Sequence, residues 1–166
     1  HGGMITVSSS PGEGSCFDVY LPASKEPADQ AERPERTIRP GGGQTILLVE
    51  DELAVTRFVQ AVLEENQYHV LTARNGSDAI DIFNEKHASI AIIVTDLDMP
   101  VMVGESFAAS IRERNRDIPI IVITGESKHS DARSLENRLE KLSVQTLLRK
   151  PFSERELLIA IDNLLP

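Results

Sequence analysis

The sequence predicts an α/β fold: a doubly wound parallel sheet of five strands covered by five helices, preceded by a short β-hairpin and a linker. Two observations lead there. From residue 45 onward, short runs of Val, Ile and Leu alternate with amphipathic stretches of helical length, the pattern of repeated strand–helix units. Those runs are nearly continuous in apolar residues, as strands buried on both faces must be.

Taken in order, residues 4–8 and 16–21 are rich in strand formers, and Ser9, Ser10, Pro11, Gly12, Glu13, Gly14 and Ser15 between them favour turns, so a hairpin is expected. Two strands alone are marginal in water, so this piece needs a sheet to join. Residues 23–44 lack hydrophobic periodicity and carry Pro27, Pro34, Pro40, Gly41, Gly42 and Gly43. That is linker composition, disordered or briefly helical near 28–36. Ile46, Leu47, Leu48 and Val49 form the first buried strand, and a helix over 53–65 sets Val55, Phe58, Val59 and Val62 on one face. A strand at 68–73 and a helix at 77–86 follow, with Ala79, Ile80 and Phe83 inward. The third pair is a strand at 90–94 and a helix at 104–114. The fourth is a strand at 118–123 and a polar helix at 130–141, with Leu135, Leu139 and Leu142 on one side. A strand at 144–148 and a helix at 153–165 close the chain, with Ser153 as N-cap and Glu156 at the box position.

Composition narrows the function. The chain has 166 residues, a formal net charge of −9 and one cysteine. An acidic surface repels nucleic acid, and no apolar run approaches the roughly 20 residues of a membrane helix. No signal peptide is read at the start. Cys16 alone excludes an intrachain disulfide and a Cys-rich metal centre. A cytoplasmic setting is expected, with a membrane anchor left open for a longer parent chain.

Ligands of an open parallel sheet gather beyond the carboxyl ends of its strands. Glu50 and Asp51 follow the first strand, Asp96 and Asp98 the third, Thr124 the fourth and Lys150 the fifth. Crowded carboxylates repel unless a cation neutralises them, and an oxygen-only set suits Mg²⁺ or Mn²⁺. Asp96 is then the candidate nucleophile, since carboxylates form aspartyl phosphates. Lys150 supplies a point charge and Thr124 a hydroxyl for phosphoryl oxygens.

These residues resemble the response-regulator receiver family. The stretch Ile46, Leu47, Leu48, Val49, Glu50, Asp51, Glu52 is similar to its opening acidic motif. Val94, Thr95, Asp96, Leu97, Asp98, Met99, Pro100, with Gly104 beyond, resembles its acceptor motif. Ile121, Val122, Ile123, Thr124, Gly125 and then Lys150, Pro151, Phe152 resemble its last two. The resemblance implies a flavodoxin-like strand order of 2-1-3-4-5 across residues 45–166. It also implies metal binding by Asp51, Asp96 and the backbone carbonyl of Asp98, with Glu50 as a ligand or holding a metal-bound water. A cis peptide before Pro151 is common in the family. The phosphodonor implied is a phosphohistidine on a histidine kinase or phosphotransfer protein. The implied readout is protein contact, with homodimer formation left open and no nucleic-acid or membrane contact by these residues.

Several positions depart from the family pattern. Leu147 stands where Tyr or Phe is usual, Val103 where an acidic residue is frequent, and the stretch from Thr124 to Lys150 is longer than usual. Asp98 and Glu126 resemble positions that tune phosphate lifetime. Residues 1–22, with Gly12, Glu13, Gly14 and Ser15 ahead of Tyr20, Leu21 and Pro22, resemble the tail of a histidine-kinase ATP-binding domain. The arrangement of residues 1–22, linker 23–44 and receiver 45–166 therefore resembles the C-terminal piece of a hybrid sensor histidine kinase. Such a piece is a phosphoacceptor rather than an enzyme. His1, His69, His87 and His129 show no phosphoacceptor or metal-ligand spacing. Two other readings compete: a haloacid-dehalogenase-like phosphatase using Asp96 and Asp98, and a degenerate receiver serving only as an interaction module.

Overall fold

The computed structural model describes residues 2–23, 38–99, 104–125 and 132–165. It divides into two compact units, His1–Thr37 and Ile38–Pro166. In the first, strands β1 (Met4–Ser10) and β2 (Gly14–Tyr20) pair antiparallel, Met4 opposite Tyr20 and Ser10 opposite Gly14. The strands run further into the turn than expected, because Gly12 and Gly14 take positive φ of 83° and 94°, a region open to glycine at no steric cost. Every residue of both strands is exposed. The helix expected near 28–36 lies outside the described residues.

The larger unit runs β3 (Thr45–Val49), α1 (Leu53–Glu65), β4 (His69–Ala73), α2 (Gly76–Lys86), β5 (Ile90–Asp96), α3 (Gly104–Arg114), β6 (Ile120–Thr124), α4 (Ala132–Lys141), β7 (Thr146–Arg149) and α5 (Glu154–Asp162). The sheet is parallel in the order β4-β3-β5-β6-β7, the order 2-1-3-4-5 within this unit. Strand parity explains the unbroken apolar runs. Ile46, Leu48, Ile92, Val94, Ile121 and Ile123 face one core with Leu157 and Ile161 of α5. Leu47, Val49, Ile93, Ile120 and Val122 face a second core with Phe83, Phe107 and Ile111. Consecutive strand residues point to opposite faces, so a strand covered on both sides is apolar throughout.

Element ends follow local chemistry. Ser153 caps α5 by accepting from the Glu156 amide at 3.2 Å, while Glu156 Oε2 accepts from the Ser153 amide at 2.8 Å. Ser153→Ala is expected to cost about 1 kcal/mol, read as a shift in the urea midpoint at constant slope. Asn75 Oδ1 accepts from the Asp78 amide at 2.9 Å and starts α2 one residue before the expected Ser77. Strand β6 begins at Ile120, not residue 118, because Asn115 Oδ1 folds the Asp117 and Ile118 amides into a turn and Pro119 has no amide to give. Strand β7 begins at Thr146, not residue 144. The Val144 amide closes the end of α4 onto Leu139 O at 3.0 Å, with Ser143 left-handed at φ 49°.

Two expectations need correction. Phe58 is not in the core: it is 44% exposed and meets Phe152 at a tilt of 51°, ring centroids 6.2 Å apart. Residues 38–43, assigned to the linker by composition, pack on the larger unit. There Arg39 Nε donates to Asp162 Oδ1 at 2.8 Å, and the Gly41 and Gly43 amides donate to Asn66 O and Gln67 O. Gly41 is required because a Cβ would sit 2.7 Å from the Tyr68 ring.

Candidate functional site

Parallel pairing sets the carboxyl ends of β3, β5, β6 and β7 along one edge of the sheet. The chain leaves β3 at Glu50, whose amide donates to Ala73 O at 3.0 Å and whose side chain is buried. Asp51, the next residue, is exposed. Asp96 ends β5, Thr124 ends β6, and the Lys150 amide donates to Thr124 O at 2.7 Å as the chain leaves β7.

Lys150 joins these ends. Its Nζ donates to Asp96 Oδ2 at 2.7 Å and to Glu50 Oε2 at 2.9 Å. The other Asp96 oxygen, Oδ1, accepts from the Asp98 amide at 3.1 Å, and Glu50 Oε1 accepts from the Glu52 amide at 3.1 Å. Thr56 Oγ1 donates to Glu50 O at 3.3 Å and ties the first turn of α1 to the same corner. Burial pushes the Glu50 carboxyl above its ordinary value of 4.5; the Lys150 hydrogen bond pulls it down, and the Asp96 charge adds to the rise. For Lys150, burial works against the charge, but the hydrogen bonds and charges of Asp96 and Glu50 together outweigh it and raise its pKa above 10.5. The ammonium is therefore charged at neutral pH.

Glu50, Asp51 and Asp96 each place a carboxylate oxygen within 4.8 Å of the others. A set of three carboxylates with only oxygen donors fits a hard divalent cation. Asp98 meets Asp96 through its amide, and its side chain is exposed. The Thr124 hydroxyl donates to its neighbour, Gly125 O, at 3.0 Å. Val103 and Glu126 lie outside the described residues. Leu147 is half-buried against the core beneath α3 and α4. The peptide between Lys150 and Pro151 is cis.

Two features of the site were not read from the sequence. One is the Glu50–Lys150 pair: adjacent acidic residues after a strand carry no signal of which one turns inward. The other is the seat of Gly104 on the acceptor strand. Its amide donates to Leu97 O at 3.0 Å, and a Cβ there would meet Asp96 O and come within 2.9 Å of Leu97 Cα. Both clashing groups are backbone, so Gly104→Ala must push α3 off the turn after Asp96. A loss of about 1–3 kcal/mol is expected, checked by urea unfolding.

Residues 46–162 match the response regulator receiver domain. The chain is 31% identical over 172 residues to the sensor kinase CckA of Brucella abortus, across 99% of this chain and 18% of that one. It is 30% identical over 194 residues to the sensor histidine kinase TmoS of Ectopseudomonas mendocina, across 99% of this chain and 19% of that one. This chain thus spans less than a fifth of either relative. Among solved structures, a response regulator receiver domain protein from Clostridium thermocellum superposes with a TM-score of 0.66 at 29% identity, covering 72% of this chain and 92% of that one. No helix among the described residues is long and apolar enough to cross a membrane. Since the family match covers most of the chain and the sheet order agrees with it, this protein belongs to the response regulator receiver domain family, whose members accept phosphoryl groups in phosphorelay signalling.

Proposed function

We propose that Asp96 accepts a phosphoryl group from a phosphohistidine on a histidine kinase or phosphotransfer protein. The observation that carries this reading is Lys150 Nζ seated 2.7 Å from Asp96 Oδ2, beside the Glu50, Asp51 and Asp96 carboxylates. An Asp96 oxygen attacks phosphorus, the phosphorus–nitrogen bond of the donor breaks, and the imidazole leaves with the electron pair. Asp96 is oriented for this by the Asp98 amide on Oδ1. Lys150 stays anchored on Glu50 and is free to exchange its Asp96 contact for a phosphoryl oxygen, where its charge is worth most. The Thr124 hydroxyl, bonded only locally to Gly125 among the described residues, is available for a second phosphoryl oxygen.

Asp51, Asp96 and the Asp98 carbonyl would hold Mg²⁺ or Mn²⁺, with Glu50 as a further ligand or through water. When bound, the cation neutralises charge shared between Asp96 and the phosphoryl oxygens. A rim for the donor lies next to the site in the chain: Leu53, 47% exposed, two residues after Asp51, and Phe152, two residues past Lys150, which meets Phe58 of α1.

Residues 1–22 are read as the last hairpin of a histidine-kinase ATP-binding domain. Alignments to CckA and TmoS run across 99% of this chain, and both hairpin strands lie exposed. The arrangement is then 1–22, linker 23–44 and receiver 45–166, within a hybrid sensor kinase of the cytoplasm or its membrane. The test is incubation with acetyl phosphate or phosphohistidine donors in the presence of Mg²⁺. An acid-stable, base-labile label that disappears with EDTA is expected; no label from any donor, with the protein folded, would refute the reading.

A further inference from the structure

Helices α1 and α5 end without a cation of their own. The last turns of α2, α3 and α4 carry Lys86, then Arg112 and Arg114, then Arg138 and Lys141, whereas those of α1 and α5 carry no basic residue. A cation there would meet the orphan carbonyls and the negative end of the helix dipole. The segment 38–43 supplies donors to both ends. Arg39 Nε donates to Asp162 Oδ1 at 2.8 Å, and its Nη2 to Asp162 O at 3.3 Å and Leu165 O at 3.4 Å, at the end of α5. The Gly41 amide donates to Asn66 O at 2.8 Å and the Gly43 amide to Gln67 O at 3.1 Å, just past α1. Tyr68 is buried with its ring against Gly41, and Ile38 packs on the core that α1 and α5 share.

Both helices leave the acceptor edge of the parallel sheet and run back, so this junction lies at the edge away from Asp96. At the acceptor edge they meet again, through Phe58 in α1 and Phe152 just ahead of α5. The buried side chains of α1 are Val59, Val62 and Leu63, from its middle onward. Its first half, with Leu53 and Phe58 exposed, is tied to the strand end by Thr56 Oγ1 on Glu50 O at 3.3 Å. An element with so little buried apolar surface shifts at low free-energy cost. The place of Leu53 and Phe58 is therefore set by the direction of the helix axis, which its far end controls.

We propose that Ile38–Gly43 is a brace that ties the end of α1 to the end of α5 and so holds the donor rim of Leu53, Phe58 and Phe152 in one shape. The proposal rests on the reading of that rim given above. Arg39 and Gly41 are positioning residues, remote from the transferred group; Asn66, where the brace meets α1, is about two helical turns from Phe58. The Arg39 side chain is 62% exposed, and an ion pair so exposed adds little stability by itself. A brace makes the far end of α1 depend on it.

The experiment measures amide hydrogen exchange in the full chain for the wild type, Arg39→Met and Gly41→Ala. The first frees the α5 end; the second lifts the α1 end, because its Cβ would lie 2.7 Å from the Tyr68 ring. Labelling is followed with acetyl phosphate and with a histidine phosphotransfer protein charged by phosphoramidate. Both variants are expected to exchange about fivefold faster across 53–58, the scale of a small local loss of stability. With the charged protein as donor, KM is expected to rise by a similar factor at constant kcat, while labelling by acetyl phosphate, too small to use the rim, stays as in the wild type. Arg39→Lys, which keeps the charge but not the fork, is expected to recover part of both effects. Faster exchange confined to 62–68 and 159–165 would show a local cap and overturn the brace. Equal acceleration in β5 and β6 would show a general loss of stability and overturn it too, as would an unchanged KM for the charged protein. A wild type that neither donor labels refutes the phosphoacceptor reading and the donor role of the rim, and exchange across 53–58 still decides whether the helices are braced.

Discussion

Asp96→Asn is expected to abolish labelling by acetyl phosphate and by phosphohistidine donors, with folding retained. The amide that replaces the carboxylate lacks the nucleophilic, charged oxygen that attacks phosphorus. It keeps an acceptor for the Asp98 amide now held at 3.1 Å, and Lys150 keeps its bond to Glu50 at 2.9 Å. Stability should therefore stay within about 1 kcal/mol of the wild type, and circular dichroism should show the same secondary structure. Intact-mass measurement checks the first part and urea unfolding the second. Full labelling of the variant would mean that another carboxylate is the acceptor.

Lys150→Met is expected to slow phosphoryl transfer about 10²-fold, the scale of losing one preorganised charge-stabilising donor. It should act on stability as well. Lys150 is 22% exposed, whereas the Glu50 and Asp96 side chains it joins are almost wholly buried. Removing it leaves two buried carboxylates facing each other. Breaking a fully buried pair costs about 3–5 kcal/mol, and the partial exposure of the lysine brings the expectation to about 1–3 kcal/mol in the absence of metal. The direction with pH follows from the raised pKa of Lys150. The contribution of its pairs is complete below the ordinary lysine value of 10.5 and is lost only as alkali deprotonates the ammonium above it. At the acid end the variant's deficit should shrink as Glu50, whose pKa is already raised, takes a proton. Millimolar Mg²⁺ should recover much of the deficit, because a cation among the carboxylates replaces the missing charge. Thermal unfolding with and without Mg²⁺ reads this directly; a variant as stable as the wild type throughout would show that Lys150 is not the counter-charge of the cluster.

The sheet was legible in the sequence because burial on both faces leaves strands such as Ile46–Val49 without polar interruption, and the capping box at Ser153 and Glu156 announced α5. Where a polar side chain decided a boundary, the hydrophobic pattern misled. Asn75 starts α2, Asn115 delays β6, and the closing of α4 by the Val144 amide delays β7. Phe58 kept the helical period yet lies at the margin of its face beside Phe152. The positions of Asp96 and Lys150 at strand ends could be read locally, but the pairing of Lys150 with Glu50 spans 100 residues and left no local trace. The same holds for Arg39 and Asp162, 123 residues apart, which bring part of an apparent linker into the larger unit.

The central claim is that one aspartyl oxygen, at the end of β5, is the group phosphorylated. Borohydride reduction of the labelled chain converts an aspartyl phosphate to homoserine, and peptide mass mapping then locates it. Homoserine at position 96, dependent on Mg²⁺, is the predicted result. Homoserine at position 51 or 98, or a label that survives on a side chain other than a carboxylate, would contradict the account.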